Sequence, residues 1–577
     1  MAYFVRKTKK NGRDYLTIYD GVYSRESHSV RQHYIKSLGY LDELRKEFTD
    51  PIGHFTAEAK KMEADERKRL ERKAAERIPE GNATYKSLGY FPLKRMWEEL
   101  KMDQPFRDLE RCEPTHFGFD PAKVFESLLY LQVLSPGSKI DAYMNKLPML
   151  FGEYSYSKEQ MYRALEYFGE HDSLIAEYTR KKIDAVYRYD LKTGYFDCTN
   201  YYCEIDEEDG PGGLRAKGPS KENFKGPIVG LGLLLDGAGI PLAHKLYRGN
   251  QSEKPEMDKI IEDMRAELQP KAKLVRVADK GLNCASNIYK ALEKGDGYIF
   301  SSSVKGADDM TKKWVKNPNG YGELKDESGN VVYKEKSDVV DREYQIKDGD
   351  GRVIGEFTAR QKQIVFWSRD FADKSKIERD REIFRLLKDP KTFKSIERRE
   401  LGHAAKYVTV EAAKTQDGEY QRVDAIQEEL DMEKIKSDEE LDGYYLIVTS
   451  ETKMSDDEVI DRYRCLWEIE ESFMITKSIL SARPFFLRKG EAIQGHFLIC
   501  FTALLFLRLI QKRKLGNAIN AGSLASTMRL MNVVKGADGR WIASKKDKNF
   551  PLLSKAYRAS LDIHYWDEER IRKLFLS

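Results

Sequence analysis

Tyr463, Glu470 and Lys477 recur at intervals of seven in the stretch Tyr463-Arg-Cys-Leu-Trp-Glu-Ile-Glu-Glu-Ser-Phe-Met-Ile-Thr-Lys477. On a helix of 3.6 residues per turn, seven residues make nearly two turns, so a phenol, a carboxylate and an ammonium share one stripe. A second stripe, Val459, Leu466, Phe473 and Leu480, is wholly apolar and predicts the edge that enters the core. A carboxylate between a phenol and an ammonium suits a metal ion held next to a nucleic-acid phosphate.

Two more acids stand out by position. Asp197 lies inside the strand-like Tyr195-Phe-Asp-Cys-Thr-Asn-Tyr-Tyr202, and Asp279 ends Leu274-Val-Arg-Val-Ala-Asp279. An ionised Asp in a half-buried β segment is costly unless it is paired or metal-bound. Three carboxylates converging on one point would repel one another, and Mg²⁺, a hard ion that prefers oxygen ligands, relieves that repulsion. Each acid also has a plainer reading. Asp197 can be a turn or sheet-edge acid, Asp279 can cap the next helix or pair with Arg276 or Lys280, and Glu470 can be a surface acid beside Glu468 and Glu471.

The elements that must carry these residues alternate along the chain. Tyr195–Ile205, Pro227–Leu235 and Ile240–Tyr247 read as strands with a turn at Asp236-Gly237. A helix follows from Ser252, its expected cap, to Leu268; then come a strand over 273–278, a helix over 283–293 and a strand over 297–302. This is a mixed α/β sheet flanked by helices. Residues 304–440 intrude with turn signals and a charged middle, after which Asp442–Thr449 resumes as a strand and Ser455 caps the helix of Glu470. Upstream, residues 1–55 form a β-rich module with turns at Asn11-Gly12 and Asp20-Gly21. Residues 56–80 are a charged helical linker, and 81–188 are helical.

At 577 residues the chain exceeds a single core. Apolar residues at 41% allow real cores, and a net charge of +4 does not by itself announce a polyanion partner. Its distribution says more. Residues 508–548 hold ten Lys/Arg against Asp538 and Asp547, and residues 1–40 hold eight basic against three acidic side chains. Either end could meet phosphate, and either could be a solvated face. The six cysteines contain no CxxC pair, which argues against a zinc knuckle or a disulfide framework. The N-terminus lacks a signal-peptide core. The apolar run Phe497–Leu507 is too short to cross a bilayer and reads as a buried helix. A cytoplasmic protein, nucleoid-associated in a bacterium, is expected.

Taken together, these segments resemble a DDE transposase of the IS4 superfamily, most closely the IS1634-like group of insertion sequences. The resemblance rests on Tyr195-Phe-Asp-Cys-Thr-Asn200, Gly218-Pro-Ser-Lys221, Gly230–Asp236, Tyr247-Arg-Gly-Asn250, Val277-Ala-Asp-Lys-Gly281 and Tyr463–Lys477, continued by Arg483-Pro-Phe-Phe and Gly495-His-Phe. Tyr34–Tyr40 and Leu134-Ser-Pro-Gly-Ser-Lys139 extend it towards the N-terminus.

The resemblance implies an RNase H-like catalytic core split into residues 189–303 and 441–510. A β-rich insertion domain, 304–440, would separate the halves, a helical DNA-binding domain would precede them over 81–188, and a basic helical region would follow over 511–577. Asp197, Asp279 and Glu470 would be the catalytic triad, binding two Mg²⁺ ions for which Mn²⁺ substitutes. Tyr463 and Lys477 would grip phosphates at the transposon end. The family's arginine, three residues after that tyrosine, is Leu466 here; Arg464 is the nearest basic substitute, roughly 160° away around the helix. The expected activity is DNA transposition: binding of terminal inverted repeats, metal-dependent cleavage and strand transfer into double-stranded target DNA, with a homodimer in the synaptic complex. The rivals are an RNase H-like nuclease without strand transfer and an inactive DNA-binding derivative.

Overall fold

The computed structural model describes residues 2–24, 29–75, 85–113, 117–221, 224–268, 273–388, 407–409, 429–536 and 539–576. The end of the charged linker, 76–80, and much of the insertion, 389–406 and 410–428, lie outside the described residues.

The chain opens with an antiparallel sheet of β1 (Ala2–Lys10), β2 (Arg13–Ser24) and β3 (Ser29–Tyr40). Asn11 and Gly12 take positive φ of 52° and 75°, the conformation a tight two-residue hairpin demands. Asp20-Gly21, expected as a turn, instead continues β2, with Gly21 paired to Ala2 on one side and Gln32 on the other. Leu16 and Ile18 are buried on the face covered by α1 (Pro51–Ala75), which contributes Phe55 and Ala59.

After β4 (Tyr85–Ser87) comes a helical segment: α2 (Phe91–Glu99), α3 (Gln104–Cys112), α4 (Pro121–Leu134), α5 (Lys158–Glu170) and α6 (Asp172–Tyr187). Ser157 and Gln160 form a reciprocal capping box at the start of α5. The chain then builds β5 (Thr193–Tyr202), β6 (Ile228–Asp236), β7 (Pro241–Arg248), α7 (Glu256–Leu268), β8 (Val275–Ala278), α8 (Ala285–Glu293) and β9 (Gly297–Ser302). Ser252 does not cap α7, which begins four residues later; its hydroxyl accepts from the Lys254 amide instead.

β5, β6 and β7 form an antiparallel meander, and β8 and β9 run parallel to β5 in the order β7-β6-β5-β8-β9. This is the mixed α/β, RNase H-like core expected from the sequence. Every residue of β6 is buried, which explains its nearly unbroken apolar run.

The sheet does not stop at β9. Strands β10 (Gly322–Lys325), β11 (Val331–Lys347) and β12 (Val353–Ser368), all from the intrusion, join it through β15 (Tyr444–Thr449), giving nine strands. The intrusion thus extends the core sheet instead of making a sheet apart, apart from the two-residue pair β13 (Val408–Thr409) and β14 (Glu429–Leu430). Exposed ends of β11 and β12 reach beyond the core as a hairpin turning at Asp348–Gly351.

Beyond β15 lie α9 (Asp456–Arg464), α10 (Trp467–Met474) and α11 (Gly490–Leu509). The helix holding the Phe497–Leu507 run is long and apolar enough to span a membrane, yet it is buried inside the protein. It crosses α5 at glycines. A Cβ on Gly495 would strike the Leu165 carbonyl, and one on Gly169 would strike that of Glu491, so backbone meets backbone. The C-terminal region is not purely helical. With α12 (Ala521–Arg529), α13 (Phe550–Tyr557) and α14 (Glu568–Phe575) come β16 (Asn532–Lys535), β17 (Trp541–Ala543) and β18 (Tyr565–Trp566), in a four-stranded sheet that returns to β4. Part of its positive charge is engaged within the chain: Arg529 donates to the carbonyls of Val133 and Ile479, and Lys514 pairs with Glu99 at the surface.

Candidate active site at the strand ends

Strands β5 and β8 are parallel and pair Tyr195 with Val277. Two residues further along, Asp197 in the middle of β5 stands level with Asp279, the residue just past the end of β8, where an open α/β sheet gathers its chemistry. β9 pairs Ala278 with Phe300, which brings Ser301 beside Asp279. Ser301 Oγ donates to Asp279 Oδ1 at 2.7 Å, and Tyr463 Oη donates to the same oxygen at 3.1 Å. Two plainer readings of Asp279 fail: Arg276 is fully buried and pairs with Asp258 and Asp296, and the Asp279 side chain makes no capping bond.

Asp197 is pushed up to about 6, chiefly by burial. Lys221 opposes that rise, while Glu253 and Asp279 add to it. Lys221 Nζ lies 3.9 Å from Asp197 Oδ1 and 3.4 Å from Glu253 Oε1, and donates to the Cys198 carbonyl. Lys477 adds a second ammonium. Its Nζ sits 5.5 Å from the centre of the Tyr201 ring, and burial, then Lys221, holds it down to about 8 against the pull of Asp197. Tyr201 Oη and Thr476 Oγ1 are 2.5 Å apart, which ties β5 to the turn carrying Lys477.

The seven-residue stripe is not a straight line. Ser455 caps α9 as expected, accepting from the Glu458 amide, but the helix breaks at Cys465 and Leu466. There Leu466, Glu468 and Ile469 donate three residues back, a tightened 3₁₀ turn, and Ile475–Ile479 then widens into a π turn. These changes of pitch rotate Glu470 and Lys477 away from the line that a uniform helix would draw from Tyr463. The apolar stripe survives: Val459, Leu466, Phe473 and Leu480 are all buried.

The three acids of α10 divide sharply. Arg508, fully buried on α11, donates to Glu471 Oε2 at 2.7 Å and to the Glu468 carbonyl at 3.0 Å, and Lys512 pairs with Glu468 at 2.8 Å. Glu470 is exposed, and its carboxylate has no partner among the described residues. Arg464 is also exposed; among the described residues it pairs with Asp461 across 3.5 Å of surface.

Among the described residues no three acids, histidines or cysteines stand close enough to share a metal ion. Asp197 and Asp279 suit two ligand positions, being under-neutralised oxygens on adjacent strands. Glu470 does not complete the set in this conformation.

Residues 221–506 match the family model described as transposase DDE domain. This stretch belongs to the transposase DDE domain family. The match takes in Asp279, Tyr463, Glu470 and Lys477, and leaves Asp197 outside its N-terminal limit. Among solved structures, the piggyBac transposase synaptic complex with hairpin DNA, a cryo-EM structure, is 7% identical, with 79% of this chain and 75% of that chain covered and a TM-score of 0.35. No curated protein matches the chain. The transposase domain also contains three residues to which the sequence alone gave no role. Ser301 could have been placed by counting along β9 to its end; Lys221 sits in the quoted Gly218–Lys221 motif; and Glu253 follows Tyr247–Asn250 by three residues.

Proposed function

We propose that this chain is the transposase of an insertion sequence, of the IS4 superfamily and its IS1634-like group. It binds the terminal inverted repeats of double-stranded DNA, cuts there, and joins the freed 3′-hydroxyls to target DNA, two copies acting in the synaptic complex. The observation that carries this reading is the level pair Asp197 and Asp279 on adjacent parallel strands, flanked by Lys221 and Lys477, within a chain that contains a transposase DDE domain.

In this reading Asp197 and Asp279 would hold divalent metal, with Glu470 as the third ligand once DNA has drawn α10 closer. Mg²⁺ or Mn²⁺ there supplies positive charge for in-line displacement at phosphorus. Ser301 and Tyr463 fix one oxygen of Asp279 by donating to it, which orients the carboxylate. Tyr201, through Thr476, steadies the turn that presents Lys477 to a phosphate.

The separation of Glu470 from the two aspartates favours one rival, a DNA-binding derivative that does not cut. A labelled duplex bearing the DNA that borders the gene tests both readings. Mg²⁺-dependent nicking, abolished by EDTA and followed by labelled joined products in a target plasmid, is the expected outcome. Nicking without joined products would make the protein a nuclease, and binding without nicking would make it the inactive derivative.

A further inference from the structure

We propose that Lys221 contacts a DNA phosphate beside Asp197, so that two lysines from separate elements, Lys221 and Lys477, receive the strand to be cut. The inference rests on the transposase reading and adds a residue to it. The helical side of the site offers few cations for this task. Leu466 is buried in the core, Arg464 points to solvent with Asp461, and Arg462 is held by Glu458 and Thr193. Lys221 comes instead from the segment between β5 and β6 and reaches the acid that most needs a counter-charge.

Its geometry suits an incoming phosphate. An ammonium has three protons to give. One goes to the Cys198 carbonyl, while Asp197 and Glu253 stand at 3.9 Å and 3.4 Å, loose enough for a phosphate oxygen to compete. The side chain remains 44% exposed, open to approach. Charge argues the same way. Asp197, Asp279 and Glu253 together would repel a phosphodiester, and a cation must lie between them and the strand. Lys477, from the turn after α10, is near enough to feel both Lys221 and Asp197. Glu253 is then a positioning residue that holds the ammonium in reach of Asp197.

The experiment uses the full chain and the labelled bordering duplex, with affinity measured across a salt series and nicking measured with Mg²⁺. K221A is expected to keep the wild-type melting temperature, because the side chain is half exposed. Its log affinity against log salt should become shallower by about one unit, the loss of one phosphate contact. Nicking should fall with it, and K221R should restore both. E253Q should leave the salt slope unchanged and lower nicking less than K221A does. Wild-type slope and nicking in K221A would overturn the inference. So would lost nicking with an unchanged slope that K221R does not rescue, since Lys221 would then serve only to hold Asp197. A wild-type protein that neither binds nor nicks the duplex overturns the transposase reading itself, and the contact with it.

Discussion

Asp197 and Asp279 project from paired parallel strands whose backbone hydrogen bonds fix their separation, and three neighbours, Lys221, Ser301 and Tyr463, already engage them. Glu470 rides on a short helix bounded by a tightened turn on one side and a widened turn on the other, and its carboxylate engages nothing described. One wall of the site is set by the sheet. The other is set by how α10 leans on α11 through Arg508, Glu468 and Glu471. The difference teaches that strand register can set two acids side by side before any ligand arrives, while under the proposed function Glu470 would have to be brought to them.

The sharpest way to break that contrast is to neutralise one acid on each side. Asp279→Asn and Glu470→Gln are both expected to reduce Mg²⁺-dependent nicking to background while end binding persists, as read by gel shift and nicking of one duplex. Full nicking by Glu470→Gln would remove it from the site. Glu471→Gln should behave oppositely. Weakening a fully buried arginine's charge partner costs up to about 3–5 kcal/mol, seen as a lower melting temperature, with nicking by the folded fraction retained. Tyr463→Phe, which removes one hydrogen bond to Asp279, should cost about 1 kcal/mol of transition-state stabilisation, roughly fivefold in nicking rate.

The smallest effect concerns pH. Lys477 is held down to about 8, below its ordinary 10.5, so folding favours its neutral form. Between those values the unfolded chain binds more protons, and this group makes the fold more stable as pH rises. A phosphate contact requires the charged form, so end affinity should fall as pH rises through about 8 in wild type and stay level in Lys477→Arg. Equal slopes in the two proteins would remove Lys477 from the DNA contact.

Much of this was legible in the sequence wherever periodicity carries information. The apolar stripe from Val459 to Leu480 announced its burial, and the apolar run of β6 announced a strand. Asp197 could be placed inside a strand and Asp279 at the end of one, which is where they lie. The break at Cys465–Leu466 was not legible, since a 3₁₀ turn changes hydrogen-bond partners without changing residue types. Nor was the joining of β12 to β15, because a strand's composition does not name its neighbour. β16, β17 and β18, with four, three and two residues, are too short to show alternation. Lys221 reaches Asp197 only through the tertiary fold.

The crossing of α5 and α11 at Gly169 and Gly495 has a mechanical consequence. With carbonyls seated against α-carbons, the helical segment cannot hinge or slide against the core without unpacking both helices. Duplex gripped by that segment would meet Asp197 and Asp279 at a set distance, as between the jaws of a caliper. The cut would then fall a counted number of base pairs from the bound sequence, chosen by length and indifferent to the bases at the cut itself.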